Sequence, residues 1–180
     1  MKLTKKFVIA AVFCVLQSCA LAGPSINSSS GLPIQVQFEL PDMSGKLLKP
    51  ADFAGKVVLL DIWASWCGPC NKALPLYADL QEELSDQNFQ VIAVSVDEDR
   101  AALVEYLKDK FDPDRLPFVV LHDQEGKLAR ELRVDTMPTT YILDENAKMV
   151  FVHRGFNGKD DLIELRAKIQ NALSSQKSQK

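Results

Sequence analysis

Residues 57–70 read VVLLDIWASWCGPC, an apolar run that leads directly into two cysteines separated by two residues. The segment VVLLDIW is hydrophobic on both alternations, which is typical of a central β-strand covered on both faces. From about Cys70 to Leu84 apolar residues recur at helical spacing with Pro75 among them, which predicts a kinked helix. The stretch therefore places Cys67 and Cys70 where a buried strand passes into a helix.

The position of Cys67 just ahead of the helix predicts a reactive thiol. The first turn of a helix has unpaired backbone N–H groups and the positive end of the helix dipole, and both favour an anion. A thiolate is the nucleophile in disulfide exchange, so we expect Cys67 to attack a target disulfide and Cys70 to resolve the mixed disulfide. One helical turn keeps the two sulfurs within bonding reach, which predicts a Cys67–Cys70 redox disulfide.

Two other uses of the cysteine pair are disfavoured by the rest of the sequence. A structural zinc site needs about four ligands, and the mature chain adds only His122 and His153, which are not in a ligand-spaced cluster. No metal site is therefore expected, and each histidine is expected to have a surface or packing role. A purely structural disulfide is also disfavoured, because closing so short a loop constrains the unfolded chain little.

The N-terminus has the pattern of an export signal. Three lysines, at positions 2, 5 and 6, precede an uninterrupted apolar run over residues 7–16, and residues 20–22 supply an A-x-A cleavage pattern. The apolar run is about half of the roughly 20 residues needed to span a bilayer. We therefore expect residues 1–22 to be a cleaved signal peptide and the protein to be exported to the periplasm or cell envelope.

A second mode of processing remains open at the same place. Residues 16–19, LQSC, also resemble a lipobox, in which Cys19 would be lipidated and become the first mature residue. Either route removes Cys14 and leaves Cys67 and Cys70 as the only free thiols.

Loss of the signal lysines leaves 18 basic against 24 acidic residues, a net charge of −6, which would repel nucleic acid. Membrane contact is expected only through a lipid anchor.

The remaining chain reads as one α/β domain. Residues 23–33 are small, polar and interrupted by proline, which predicts a flexible tether, and residues 34–40 alternate like a half-buried strand that Pro41 ends. The domain is expected over residues 34–175, with a polar tail at 176–180. Its other predicted elements are strands at 91–96 and 117–121, helices at 103–111, 127–134 and 162–173, and a hairpin of 139–143 with 149–152.

Two motifs give the chain a family resemblance. Residues 63–70, WASWCGPC, resemble the active site of the thioredoxin superfamily, and residues 137–141, MPTTY, resemble the segment that carries its cis-proline. The resemblance implies that Pro138 is cis, that the Met137 backbone contacts an extended substrate segment, and that further residues support the active site. These supporting residues are Trp66, Gly68 and Pro69.

The segments around the motifs narrow the resemblance to exported TlpA/ResA/DsbE-like thioredoxins. Residues 38–40, 44–46 and 53–59 resemble the N-terminal extension of that family, and residues 98–137 leave room for its additional helix and strand. The family implies a thioredoxin fold, in which helices flank a central mixed sheet with an N-terminal strand extension and a central helix–strand insertion. Peroxiredoxins share the extension, but their threonine three residues before the cysteine is replaced by Ala64. Peroxidase activity is therefore not expected.

Asp61 lies in the middle of the predicted central strand. A carboxyl group there is removed from water, which is expected to raise its pKa. TlpA-like proteins often have asparagine at this position, whereas cytoplasmic thioredoxins have a buried aspartate that accepts the proton of the resolving cysteine. The resemblance therefore implies that Asp61 is a general base for Cys70. The alternative is a structural carboxylate satisfied by neighbouring donors.

The pair Gly68-Pro69 between the cysteines is that of thioredoxins and implies a low potential and a reducing role. By resemblance, the protein would be a monomer without a cofactor that receives electrons from a DsbD- or CcdA-like membrane protein. Its protein substrates would be apocytochrome c cysteines, copper-site thiols or wrongly paired disulfides. A disulfide oxidase or isomerase, and a copper-binding module using both thiols and a histidine, remain alternatives.

Overall fold

A five-stranded mixed sheet forms the centre of the protein, whose structure is a computed structural model describing residues 34–112 and 115–178. Its strands are β3 (Val57–Trp63), β4 (Phe89–Ser95), β5 (Val119–His122), β6 (Thr139–Leu143) and β7 (Met149–Arg154). They lie in the order β5-β4-β3-β6-β7, in which β3, β4 and β5 are parallel and β6 and β7 are antiparallel to their neighbours. The predicted thioredoxin-type mixed sheet is confirmed.

The central strand β3 is buried along its whole length, as its uninterrupted apolar sequence predicts. Side chains alternate between the two faces of a strand. Val57, Leu59 and Trp63 belong to one hydrophobic cluster, whereas Val58 and Leu60 belong to the cluster on the opposite face. The odd-numbered side chains of β3 therefore point to the face that also carries the cysteine pair.

Helix α1 (Gly68–Glu83) follows β3 after a short loop and covers this first face. Its buried side chains, apart from Cys70, are Ala73, Leu74, Tyr77, Ala78 and Leu80. Proline is tolerated in the first helical turn because its missing N–H group would be unpaired there, and Pro69 occupies that turn. The helix begins before Cys70, earlier than predicted, and it contains Pro75 as expected.

The insertion between β4 and β6 contains helix α2 (Arg100–Lys110), strand β5 and helix α3 (Lys127–Glu131). Asp99 caps α2, with its carboxylate accepting a hydrogen bond from the Ala101 N–H at 2.8 Å. Helix α2 packs on the same face as α1 through Leu103 and Leu107, whereas α3 packs on the opposite face. The predicted helix and strand of the insertion are therefore present.

The predicted N-terminal strand over residues 34–40 is wrong. Residues 34–39 form only an isolated bridge between Gln35 and Lys148, and the strands of the extension are the two-residue β1 (Leu40–Pro41) and β2 (Leu47–Leu48). Apart from the exposed Ile34, the alternation reports burial, because positions 36, 38 and 40 are buried or half-buried whereas positions 35, 37 and 39 are exposed. The alternation cannot report whether a neighbouring strand offers enough backbone groups for a ladder of hydrogen bonds. Pro41 lies within β1 and does not end a strand before it.

The C-terminal helix α4 (Lys159–Ser178) is longer than predicted. It extends past the expected domain boundary at residue 175, because Gln176 is buried and its amide donates a hydrogen bond to the Gly55 carbonyl at 2.5 Å. The predicted polar tail therefore begins inside this helix. The expected signal peptide, the tether, Cys14 and Cys19 lie outside the described residues.

Candidate active site

Cys67 and Cys70 form a disulfide at the start of α1, with their Cα atoms 5.3 Å apart. Cys67 is the N-cap residue of the helix, and its sulfur accepts a hydrogen bond from the Cys70 N–H at 3.3 Å. This N–H belongs to the group of helix N-terminal donors that favour negative charge. The sulfur of Cys67 therefore lies where a thiolate would be stabilised once the disulfide is reduced.

The two cysteines differ in their access to solvent. Cys67 is 6% exposed and Cys70 is fully buried, so a protein substrate can approach only the Cys67 side of the bond. Trp66 is 68% exposed, and Gly68 and Pro69 are also at the surface. These residues surround the accessible sulfur.

Pro138 precedes β6, and the Met137–Pro138 peptide bond is cis, which confirms the expectation from the MPTTY motif. Pro138 is buried, and its carbonyl accepts a hydrogen bond from the Gly155 N–H at 2.8 Å. Met137 is half-buried and packs against the hydrophobic cluster that contains both cysteines. The motif thus lies at the same cluster as the disulfide.

Asp61 is fully buried in the middle of β3. By strand alternation its side chain points to the face covered by α1, as do Leu59 and Trp63. Burial raises the pKa of Asp61 to about 8, against which a hydrogen bond from Thr140 acts. One carboxyl oxygen accepts that bond at 2.7 Å, while Oδ2 has no hydrogen-bond partner among the described residues. The carboxyl group is therefore only half satisfied.

Thr140 and Tyr77 extend this polar group, and neither is among the residues predicted for the site. Thr140 pairs with Asp61 across β3 and β6, and its hydroxyl lies 3.0 Å from the Tyr77 hydroxyl. Because the Thr140 hydroxyl donates to Asp61, Tyr77 donates to Thr140. Burial raises the pKa of Tyr77 above its usual value. The signals in the sequence were the threonines of MPTTY and the spacing of seven residues, two helical turns, between Cys70 and Tyr77.

The two histidines lie on the two outer strands of the sheet, β5 and β7. His122, at the end of β5, is buried, and its Nε2 lies 2.7 Å from the Asp97 carbonyl oxygen. His153 on β7 lies 3.4 Å from carboxylate oxygens of Asp161 and Glu164 on α4. Across residues 34–112 and 115–178, no three or more His, Cys, Asp or Glu side chains are grouped so as to hold a metal ion.

Comparison with known proteins identifies the family. The profile of the AhpC/TSA family matches residues 34–152. The chain is similar to the thiol-disulfide oxidoreductase ResA of Bacillus thuringiensis subsp. konkukian, with 31% identity over 132 residues that cover 73% of this chain and 74% of that protein. Ala64, three residues before Cys67, is buried in place of the peroxiredoxin threonine.

Solved structures with the same fold include a protein from Chlorobium tepidum described as a thiol:disulfide interchange protein DsbE. It has 34% identity and a TM-score of 0.71, covering 78% of this chain and 96% of that one. The exposed lipoprotein thioredoxin Etrx1 from Streptococcus pneumoniae has 31% identity and a TM-score of 0.62, covering 73% of this chain and 98% of that one. Within the described part of the chain, no helix is long and apolar enough to cross a membrane. The chain belongs to the AhpC/TSA family and, within it, to the ResA- and DsbE-like thiol-disulfide oxidoreductases of thioredoxin fold.

Proposed function

We propose that the protein is an exported reductant that opens disulfides of other proteins in the periplasm or cell envelope. The observation that carries this proposal is the arrangement of the redox pair. A nearly buried Cys67 lies at the start of a helix, a fully buried Cys70 follows it, and a buried Asp61 lies in the sheet face beneath that helix.

The residues around Cys67 support a reducing direction. Strong oxidants of this fold owe their high potential to a reduced form that is unusually stable. Here Gly68 and Pro69 separate the cysteines and bring no polar side chain to the sulfur. Among the described residues, the hydrogen-bond donor to that sulfur is the Cys70 N–H alone. The thiolate therefore has modest stabilisation, as in a reductant of thioredoxin type.

The reaction has two exchange steps. In the first, the Cys67 thiolate attacks one sulfur of the target disulfide, forms a mixed disulfide and releases the other target sulfur as a thiolate. In the second, the Cys70 sulfur attacks Cys67, releases the remaining target sulfur and forms the Cys67–Cys70 disulfide. The target gains two electrons and the protein loses two. A membrane dithiol donor of DsbD or CcdA type would then reduce the protein again.

Asp61 would act in the second step as the proton acceptor for Cys70. Its pKa of about 8 lies near neutral pH, where a catalytic base is most effective. Met137, on the Pro138 motif, would offer its backbone to the bound substrate segment.

Export would follow from the N-terminal signal, with two modes of processing. Cleavage after Ala22 would release a soluble protein, whereas lipidation of Cys19 would anchor it by the tether over residues 23–33. The similarity to a pneumococcal protein described as an exposed lipoprotein thioredoxin supports the anchored form. The mass of the mature N-terminal peptide distinguishes the two modes.

Trapping of mixed disulfides tests the proposed function. The Cys70→Ser variant lacks the resolving sulfur, so target proteins should remain attached to Cys67 when the variant is expressed in the exporting cell. Apocytochrome c and copper-site proteins are the expected targets, together with proteins that carry wrongly paired disulfides. The trapped proteins are identified by mass spectrometry after non-reducing electrophoresis.

The double variant Cys67→Ala/Cys70→Ser is the matched control and should trap nothing. Cys67→Ala alone should abolish the reduction of protein disulfides. Wild-type turnover in Cys67→Ala, or equal trapping by the double variant, would contradict the assignment of Cys67 as the attacking residue.

A further inference from the structure

A buried carboxylate outside the disulfide region contacts the loop that carries Cys67. Asp97, which follows β4, is 2% exposed. Its carboxylate accepts hydrogen bonds from the Ser65 N–H at 3.0 Å, the Ser65 hydroxyl at 2.6 Å and the Ser95 hydroxyl at 2.7 Å. Both carboxylate oxygens are therefore used, and two of these three contacts reach the β3–α1 loop.

The backbone of Asp97 is itself fixed on both sides. Its N–H donates to the Ser95 hydroxyl oxygen at 3.0 Å, and its carbonyl accepts from Nε2 of His122 at 2.7 Å. A carbonyl oxygen can only accept, so the His122 ring carries its hydrogen on Nε2. Asp97 thus connects the ends of β4 and β5 to the loop.

Ser65 is held from the other side as well. Its carbonyl accepts a hydrogen bond from the Asn71 side chain at 3.0 Å, one residue after Cys70. The Cys67 N–H donates to the Ala64 carbonyl at 3.1 Å. Any movement of Ser65 would therefore be passed within two residues to the Cys67 sulfur and to the first turn of α1.

We propose that Asp97 is a positioning residue for disulfide exchange, which acts through Ser65 to hold the Cys67 sulfur against the Cys70 N–H in the first turn of α1. Hydrogen bonds to a carboxylate are about twice as strong as those between neutral groups. Loops are otherwise the mobile parts of a fold, and exchange requires the sulfur to stay aligned with the helix terminus. When the Cys67–Cys70 disulfide is reduced, neither the separated cysteines nor Asp61 supplies this restraint on the β3–α1 loop.

Asp123 provides a matched control on the neighbouring strand end. It is also 2% exposed, and its carboxylate accepts from the N–H groups of Lys127 and Ala129 at 2.8 and 3.1 Å. Those contacts hold the start of α3 and do not reach the loop. Asp97→Asn and Asp123→Asn therefore remove equally buried carboxylates, of which only the first holds Ser65.

The experiment measures the alkylation rate of reduced Cys67 by iodoacetamide across pH, and kcat and KM for reduction of a disulfide-linked protein. Asp97→Asn should lower the alkylation rate at neutral pH and kcat by about tenfold, a factor that corresponds to 1.4 kcal/mol. KM should stay unchanged, because the substrate surface is intact. Asp123→Asn should lower the melting temperature while leaving both rates within about twofold of the natural protein.

Two variants of Ser65 keep the test valid if Asp97→Asn does not fold. Ser65→Ala removes the hydroxyl hydrogen bond without changing any charge and should slow both rates, whereas Ser65→Thr keeps the hydroxyl and should restore them. Wild-type alkylation and kcat in Asp97→Asn and Ser65→Ala would overturn the proposal. Equal losses in Asp123→Asn would also overturn it, because they would make the effect one of general stability.

Discussion

Asp61 lies in an environment that stability alone would not favour. A carboxyl group in the centre of a buried strand loses its hydration, and one of its oxygens has no hydrogen-bond partner among the described residues. Its folded pKa is raised to about 8 from an ordinary value of 3.8. Perturbed carboxyl groups of this kind cluster at functional sites, which supports a chemical role for Asp61.

The raised pKa predicts how stability depends on pH. Between pH 4 and pH 8 the folded protein keeps a proton on Asp61 that the unfolded chain has lost, so stability falls as pH rises through this range. Asp61→Asn removes this dependence. Its unfolding free energy should exceed that of the natural protein by on the order of 4 kcal/mol more at pH 7 than at pH 4. Urea unfolding of the oxidised proteins at both values measures it.

Costs of the Asn amide that do not vary with pH cancel in this difference. A difference that is the same at both pH values would mean that Asp61 titrates normally.

In the mixed-disulfide complex, Asp61→Asn should also slow the release of the target protein at neutral pH by about tenfold or more. An unchanged release rate would return Asp61 to the role of a structural carboxylate.

Thr140 should set how far the pKa of Asp61 rises. Its hydroxyl is the donor that opposes the effect of burial, so Thr140→Val should move the titration midpoint of Asp61 above 8 by about one unit. The midpoint is followed through the carboxyl carbon signal by NMR. Tyr77→Phe removes the donor to the Thr140 hydroxyl but keeps the hydrogen bond from Thr140 to Asp61. It should therefore shift the Asp61 midpoint less than Thr140→Val does. An unchanged midpoint in Thr140→Val would contradict the assigned hydrogen bond.

At the scale of elements, the sequence predicts best where the signal is local. The run VVLLDIW carries its own burial pattern, so β3 is found at residues 57–63 as expected, and helical spacing predicts α1 and α2. The predicted strand over residues 34–40 is absent because alternation reports burial, whereas a strand also needs a neighbouring strand that offers backbone hydrogen-bond partners. The predicted end of α4 is too early because the burial of Gln176 depends on Gly55, which is 121 residues away.

The hydrogen bond of Gln176 predicts that the last turns of α4 contribute to stability. Gln176→Ala removes the donor to the Gly55 carbonyl and should lower the unfolding free energy by about 1 kcal/mol. Gln170 lies on the exposed side of the same helix. Gln170→Ala should therefore change stability by less than about 0.5 kcal/mol. Equal effects of the two substitutions in urea unfolding would show that the polar tail is not anchored.

At the scale of the whole molecule, the sheet topology brings the site residues to one end of the strands. The parallel strands β3, β4 and β5 all finish at this end: Cys67 and Asp97 follow β3 and β4, and His122 is the last residue of β5. Strand β6 is antiparallel to β3, so it begins at the same end, directly after Pro138. Ligand sites of open α/β sheets commonly lie at the carboxyl ends of parallel strands.

This topology also explains what sequence reasoning could and could not recover. Cys67, Cys70 and Pro138 carry motifs in neighbouring residues, so their place in the site could be predicted. The contact between Asp97 and Ser65 joins residues 32 positions apart, and no local pattern marks it. The partners of a buried polar group become visible only when the strands that bring them together are known.

The direction of disulfide exchange is the central claim, and the reduction potential of the Cys67–Cys70 pair tests it most directly. The protein is equilibrated with glutathione or dithiothreitol buffers of known potential, and the oxidised and reduced fractions are separated by mass after alkylation. Gly68-Pro69 and the single hydrogen bond to the Cys67 sulfur predict a value of about −270 mV, as in thioredoxin. A value in the range of about −120 to −180 mV would contradict the account and make the protein an oxidase or isomerase.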